Sequence, residues 1–177
     1  MSSQSKEFIP MQVAVLTVSD TRDEQTDTSG QYLCEQVQAL GHVLHAKQIV
    51  IDDVYLLREI VSKWIADPQI DCILSTGGTG FTGRDSTPEA LQPLLDKNVI
   101  GFGELFRSLS LEDVGSSTVQ SRAFAGIANQ TLLFCMPGST GACRTAWEGI
   151  LHEQLDSRHK PCNFVPHTRA SARFKGI

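Results

Sequence analysis

Between Asp71 and Ala90 the chain reads DCILSTGGTGFTGRDSTPEA, a short apolar run that breaks into glycines, hydroxyls and charges before a helix starts. Gly77, Gly78, Gly80 and Gly83 lack the Cβ that would hold a ligand away from the backbone, and Thr76, Thr79 and Thr82 set hydroxyls among them. Thr87-Pro88-Glu89 reads as a helix start, with an N-cap oxygen, a proline at the first helical position and a carboxylate at the positive end of the dipole. A glycine-rich loop between the carboxyl end of a strand and a helix suits the binding of an anion, a phosphate above all. A second loop of this kind, Pro137-Gly138-Ser139-Thr140-Gly141, follows the run LLFCM, and Gly138 and Ser139 precede a helix N-terminus that offers N–H groups to an anion. Ser19-Asp20 ends the first apolar run, on the same sheet edge, and could meet the ligand or simply make a turn.

Two better known loops do not fit. Gly78, Gly80 and Gly83 formally spell the dinucleotide pattern, but the helix starts only after Arg84-Asp85-Ser86-Thr87, and no acid ends a second strand about 20 residues on. The phosphate-loop pattern needs a lysine that is absent here; Arg84, followed by Asp85, could meet a phosphate or be a solvated loop charge. A bare strand-to-helix connection is the plainer alternative, although four glycines and three threonines exceed what a tight turn requires.

The elements that must position these loops alternate along the chain. Val13–Val18 reads as a strand, Tyr32, Leu33, Val37 and Leu40 as a helix stripe stopped by Gly41, and His42–Ile51 as a second strand. Val54, Leu57, Ile60, Val61, Trp64 and Ile65 form the next stripe, ended by Asp67-Pro68, and Ile70, Cys72, Ile73 and Leu74 a buried strand. Further on, Gly101–Leu111 reads as a helix and Ser116–Phe124 as a short one. AGIANQ reads as an extended piece and turn, Leu132–Met136 as a buried strand, and Cys143–Leu155 as a last helix. The alternation predicts an α/β fold: a three-layer, mainly parallel open sheet with helices on both faces and both glycine-rich loops across a switch point.

With 177 residues, 41% hydrophobic and 20% charged, the chain has the composition of one globular domain, expected over residues 1–177 with flexible tails at 1–11 and 166–177. A net charge of -5 argues against a general nucleic-acid binder, and the basic residues Arg158 to Lys175 are expected in a solvated terminus. Cys34, Cys72, Cys135, Cys143 and Cys162 show no metal-like spacing and suit a reducing compartment. The five histidines also lack ligand spacing. With no signal-peptide core and no 18-residue apolar span, the expected location is cytoplasmic, without a membrane partner.

LSTGGTGFTGRDSTPEA, GFGELFR, SRAFAGIANQTLLFCMPGS and the early VSDTRDEQTDTSG resemble, in order, the motifs of the molybdenum cofactor biosynthesis family that includes the Mog-type molybdopterin adenylyltransferases. The resemblance runs from about Val13 to Phe164. It implies an α/β fold, a homotrimer or homohexamer, possible contact with other proteins of that pathway, and binding of molybdopterin, a dithiolene pterin phosphate. The family's catalytic members transfer AMP from Mg-ATP to that phosphate. The family motifs further suggest Asp52 and Asp85 as the functional acids; either or both could hold Mg²⁺ transiently, since it takes one or two carboxylates plus phosphate oxygens. The attacking phosphate oxygen is already ionised at neutral pH, so no side-chain base is required.

The implied ligand contacts are Ser19, Asp20, Thr76, Gly77, Gly78, Thr79, Gly80, Glu104, Ser121, Gly138 and Ser139. Several have plainer roles: Asp52 as a helix cap, Asp85 in an Asx turn or paired with Arg84, Glu104 as a first-turn carboxylate, Ser121 and Arg122 at a subunit contact. A non-catalytic molybdopterin carrier and a structural oligomer remain the alternatives to an adenylyltransferase.

Overall fold

Successive residues of a strand point to opposite faces, so a strand buried on both faces is mostly apolar, with hydroxyl residues such as Thr17, Ser75, Thr76 and Thr131 here towards its ends. Strands β1 (Gln12–Val18), β3 (Cys72–Thr76) and β6 (Thr131–Met136) satisfy this: all but Gln12 are buried. In the computed structural model, which describes residues 7–176, they form the centre of a six-stranded sheet. With β2 (Val43–Val50), β4 (Lys97–Asn98) and β5 (Phe124–Ala128) the order is β2-β1-β3-β6-β5-β4. The pairs β1–β2, β1–β3 and β3–β6 are parallel, whereas β5 runs antiparallel to both neighbours. The three-layer, mainly parallel α/β architecture is therefore the one the alternation predicts.

Val13, Val15, Cys72, Leu74, Leu132 and Phe134 face one core, shared with α1 (Thr28–Leu40), α4 (Ile100–Val114) and α5 (Thr140–Ala146). Ala14, Leu16, Ile73 and Leu133 face the other, under α2 (Val54–Ala66) and α3 (Thr87–Leu91). Helix ends follow local chemistry. Asp27 caps α1 by accepting from the Gly30 N–H at 2.9 Å, and Gly41, at φ +103°, closes it. Asp53 caps α2, accepting from Tyr55 and Leu56 at 2.9 and 3.0 Å, which leaves its neighbour Asp52 without that task.

Some expectations are corrected. Thr87 is the first residue of α3, not its cap, because its hydroxyl donates to the Gly77 carbonyl at 2.9 Å. The short helix expected over Ser116–Phe124 is a 3₁₀ segment, Gly115–Gln120, and Phe124 opens β5, paired with Cys135. Asn129 and Gln130, both at positive φ, make the tight hairpin turn that joins β5 to β6. The last helix is α5, a π turn over Trp147–Leu151 and α6 (His152–Gln154).

The segments expected as tails make contacts with the rest of the fold where they are described. Met11 is fully buried, and α7 (Arg169–Phe174) is fastened to the sheet: Arg173 pairs with buried Asp71, and Arg169 donates to Thr131 Oγ1 at 3.1 Å. Paired charges give the basic segment a place in the fold that composition does not foresee. For residues 1–6 and Ile177 the expectation lies outside the described residues. No helix among the described residues is long and apolar enough to cross a membrane.

Candidate functional site

Parallel strands deliver their carboxyl ends to one edge, and here β1, β3 and β6 lie side by side, so the loops that follow them must meet. Between them is a cavity of about 430 Å³. Ser19 lines it after β1; Thr76, Gly77, Gly78, Thr79, Gly80 and Asp85 line it after β3; Gly138 and Ser139 line it after β6. Eight of the eleven expected contacts, with the expected acid Asp85, thus share one crevice.

Close packing explains two of the glycines. Gly77 has φ +104°, and a Cβ there would overlap the Val18 carbonyl oxygen; Gly78 has φ +65°, and a Cβ would lie 2.6 Å from Asp52 Oδ2. The two glycine-rich loops also touch: a Cβ on Gly138 would lie 3.2 Å from Gly77 Cα, and Thr76 Oγ1 donates to the Pro137 carbonyl at 3.0 Å. Ser139 Oγ accepts from the Ala142 N–H at 3.1 Å, so it caps α5 while lining the crevice. Thr79 Oγ1 is buried and meets no hydrogen-bond partner among the described residues.

The acids stand around the first loop. Asp52 Oδ1 accepts from the Ser86 N–H at 3.1 Å and from the Ser86 hydroxyl. Burial pushes the Asp52 carboxyl above the ordinary range; the Ser86 bonds oppose this, and the charges of Asp85 and Asp20 add to it. Asp85 Oδ2 accepts from the Thr82 N–H at 2.8 Å and its hydroxyl at 2.6 Å. Asp20 accepts from the Asp52 N–H at 3.0 Å, and its other oxygen takes Arg84 at 2.6 and 3.1 Å. Those two contacts, the backbone one first, hold Asp20 below its usual value. Asp20 therefore organises the rim without lining the crevice. Arg84 pairs with Asp20 and not with Asp85.

Arg122 donates to the carbonyls of Gly80 at 2.8 Å and Asp85 at 2.9 Å and pairs with Glu89, so it clamps the acid-bearing loop. Ser121 lines a neighbouring cavity of about 630 Å³ between α4 and α5, which shares Thr79, Gly80, Pro137 and Ser139 with the crevice. Glu104 is exposed on α4 and lines neither cavity. Sequence reasoning missed Thr17, Val18, Pro137 and Arg22 as lining residues. An arginine two residues past Ser19-Asp20 was the available signal for the last of these.

Residues 14–157 match the family described as probable molybdopterin binding domain. The chain is 56% identical over 169 residues to molybdenum cofactor biosynthesis protein B of Escherichia coli (strain K12), covering 96% of this chain and 99% of that protein. A crystal structure of molybdenum cofactor biosynthesis protein B superimposes with a TM-score of 0.80 at 44% identity, over 82% of this chain and 91% of that one. The tungsten cofactor synthesizing protein MoaB from Pyrococcus furiosus gives 0.73 at 38% identity, over 81% and 92%.

Proposed function

The chain belongs to the molybdopterin-binding domain family of molybdenum cofactor biosynthesis proteins, and from that premise we propose that it binds molybdopterin and transfers AMP from Mg-ATP to the terminal phosphate. One observation carries the proposal: Asp85, with Asp52 behind Gly78, stands beside an open crevice built from two glycine-rich loops. Among the described residues no three His, Cys, Asp or Glu side chains group as a metal cage. Magnesium does not require one, since it takes one or two carboxylates and completes its shell with water and phosphate oxygens.

Asp52 and Asp85 fit that role, because each keeps one carboxylate oxygen, Oδ2 and Oδ1 respectively, outside the hydrogen bonds made among the described residues. When bound there, Mg²⁺ would neutralise charge on the nucleotide phosphates. Backbone and hydroxyl groups of Gly77–Gly80 and Gly138–Ser139 would orient the two substrates. The pterin's phosphate oxygen then forms a bond to the α-phosphorus, the α–β bridging bond breaks, and pyrophosphate leaves.

Exposed Ile100, Leu105, Leu111 and Val114 on α4, with Val119 at 80% exposure just beyond, support self-association into a trimer or a pair of trimers. Light scattering on the purified protein measures that number.

The deciding experiment mixes the protein with molybdopterin and Mg-ATP and follows pyrophosphate release and adenylylated pterin. The expected result is turnover that Asp85→Asn abolishes with the fold intact. Tight pterin binding without turnover would select a carrier instead, and neither binding nor turnover would leave a structural oligomer.

A further inference from the structure

Among the described residues, Arg22 is the one cationic side chain lining the crevice between the glycine-rich loops. A guanidinium carries five N–H donors, and among the described residues the one side-chain hydrogen bond of Arg22 runs from Nη1 to Ser29 Oγ, while its backbone N–H donates to Ser19 Oγ at 3.1 Å. The arginines nearby are engaged: Arg84 with Asp20, and Arg122 with Gly80, Asp85 and Glu89. Arg22 keeps the Nε and Nη2 donors, the edge that forms paired bonds to a carboxylate or a phosphate.

What holds Arg22 is a buried acid. The Asp27 side chain is fully buried, with Oδ1 3.8 Å from Arg22 Nη1 and Oδ2 3.4 Å from Lys47 Nζ. Thr17 Oγ1 and the Gly30 N–H each donate to Asp27 at 2.9 Å, so the carboxylate is fixed from four sides. Two cations share one anion, which leaves one net positive charge beside a crevice whose only other charged lining residue among those described is Asp85. An anionic ligand entering the crevice meets attraction at the β1 side and carboxylate at the β3 side.

We propose that Arg22, positioned by Asp27, is the phosphate-recognition residue of the crevice, its free edge taking two oxygens of a phosphomonoester dianion. This rests on the reading that a phosphorylated pterin occupies the crevice, and it adds which side chain tells that ligand from an unphosphorylated one. Ser29 and Asp27 set the guanidinium before the ligand arrives, so little side-chain freedom is lost on binding.

Binding constants test the proposal, measured by titration calorimetry for the wild type, Arg22→Gln and Arg22→Lys with three probes: molybdopterin, its dephosphorylated form and inorganic pyrophosphate. Arg22→Gln should weaken molybdopterin and pyrophosphate roughly 10- to 100-fold and leave the dephosphorylated pterin within about twofold. Arg22→Lys, which restores charge without the fork, should recover part of the loss. Unchanged melting temperatures exclude a folding effect. Equal weakening of all three probes, or none, overturns the assignment. If the wild type binds molybdopterin and Arg22→Gln binds it as well, only the role of Arg22 falls. If pyrophosphate binds in an Arg22-dependent way but the pterin does not bind, the pterin reading falls and Arg22 stands. If the wild type binds none of the probes, both fall.

Discussion

Asp52 and Ser86, from opposite ends of a helix-strand-loop excursion, are joined by two hydrogen bonds to one oxygen: Asp52 Oδ1 accepts the Ser86 N–H at 3.1 Å and also the Ser86 hydroxyl. The contact ties the end of β2 to the start of α3, and it is why Ser86 makes no cap bond to its own helix. It also leaves Asp52 Oδ2 facing Gly78.

The Asp52 carboxyl should respond to both neighbours in opposite senses. Ser86→Ala removes a bond that lowers its pKa and should raise it further; Asp85→Asn removes a repelling charge and should lower it. Carbon-13 titration of the carboxyl reads both shifts, and a fall in Ser86→Ala would contradict the hydrogen-bond assignment. Because the folded value lies above the unfolded one, Asp52 opposes folding at neutral pH, and that penalty is relieved as pH falls through the folded value. Under the proposed role, protons would compete with Mg²⁺ for the Asp52 carboxylate, so the proposed turnover should fail on the acid side at a higher pH than an ordinary carboxylate would give.

His42 makes the fold sensitive to mild acid. Burial lowers its pKa to about 4, against the smaller opposing influences of the Leu155 backbone and the Asp156 charge. Its Nδ1 accepts the Met11 N–H at 3.1 Å, which requires the neutral ring. The unfolded chain takes up the proton near pH 6.5, so stability is full above that value and is lost as pH falls towards about 4. Urea unfolding should show about 2 kcal/mol less stability from this group at pH 5 than at pH 7.5. A His42→Gln variant should show a flatter pH profile over that window.

Gly77 and Gly83 lie in one loop but should differ sharply on substitution. Gly77→Ala sets a Cβ into the Val18 carbonyl at a left-handed φ and should cost roughly 2–4 kcal/mol. Gly83→Ala meets nothing within 4 Å, and should stay within about 0.5 kcal/mol of the wild type. Thermal unfolding of the two variants measures the contrast; equal effects would mean the loop packs otherwise.

Arg122 holds the loop that carries Asp85, so its loss should free that segment before it unfolds the protein. Arg122→Ala should cost about 1–3 kcal/mol and raise amide exchange across residues 79–85. Arg122→Lys should rescue little, since one ammonium cannot span the Gly80 and Asp85 carbonyls and Glu89 together.

Sequence alone determined the alternation of β1, β3 and β6 with helices, because a strand buried on both faces and a helix stripe leave different periods in the residue order. It also located the two glycine-rich loops, since glycine and hydroxyl residues after an apolar run are a local signal, and so they marked most of the crevice. The sequence was silent on partners chosen across long separations. Whether Asp52 or Asp53 capped α2, whether Arg84 met Asp20 or Asp85, and whether Arg169 and Arg173 hung in solvent depended on which elements came to lie side by side. The inclusion of Arg22 in the crevice and the exclusion of Glu104 from it were likewise decided in three dimensions. Side-chain pairing follows the order of strands in the sheet, and no single stretch of sequence encodes that order.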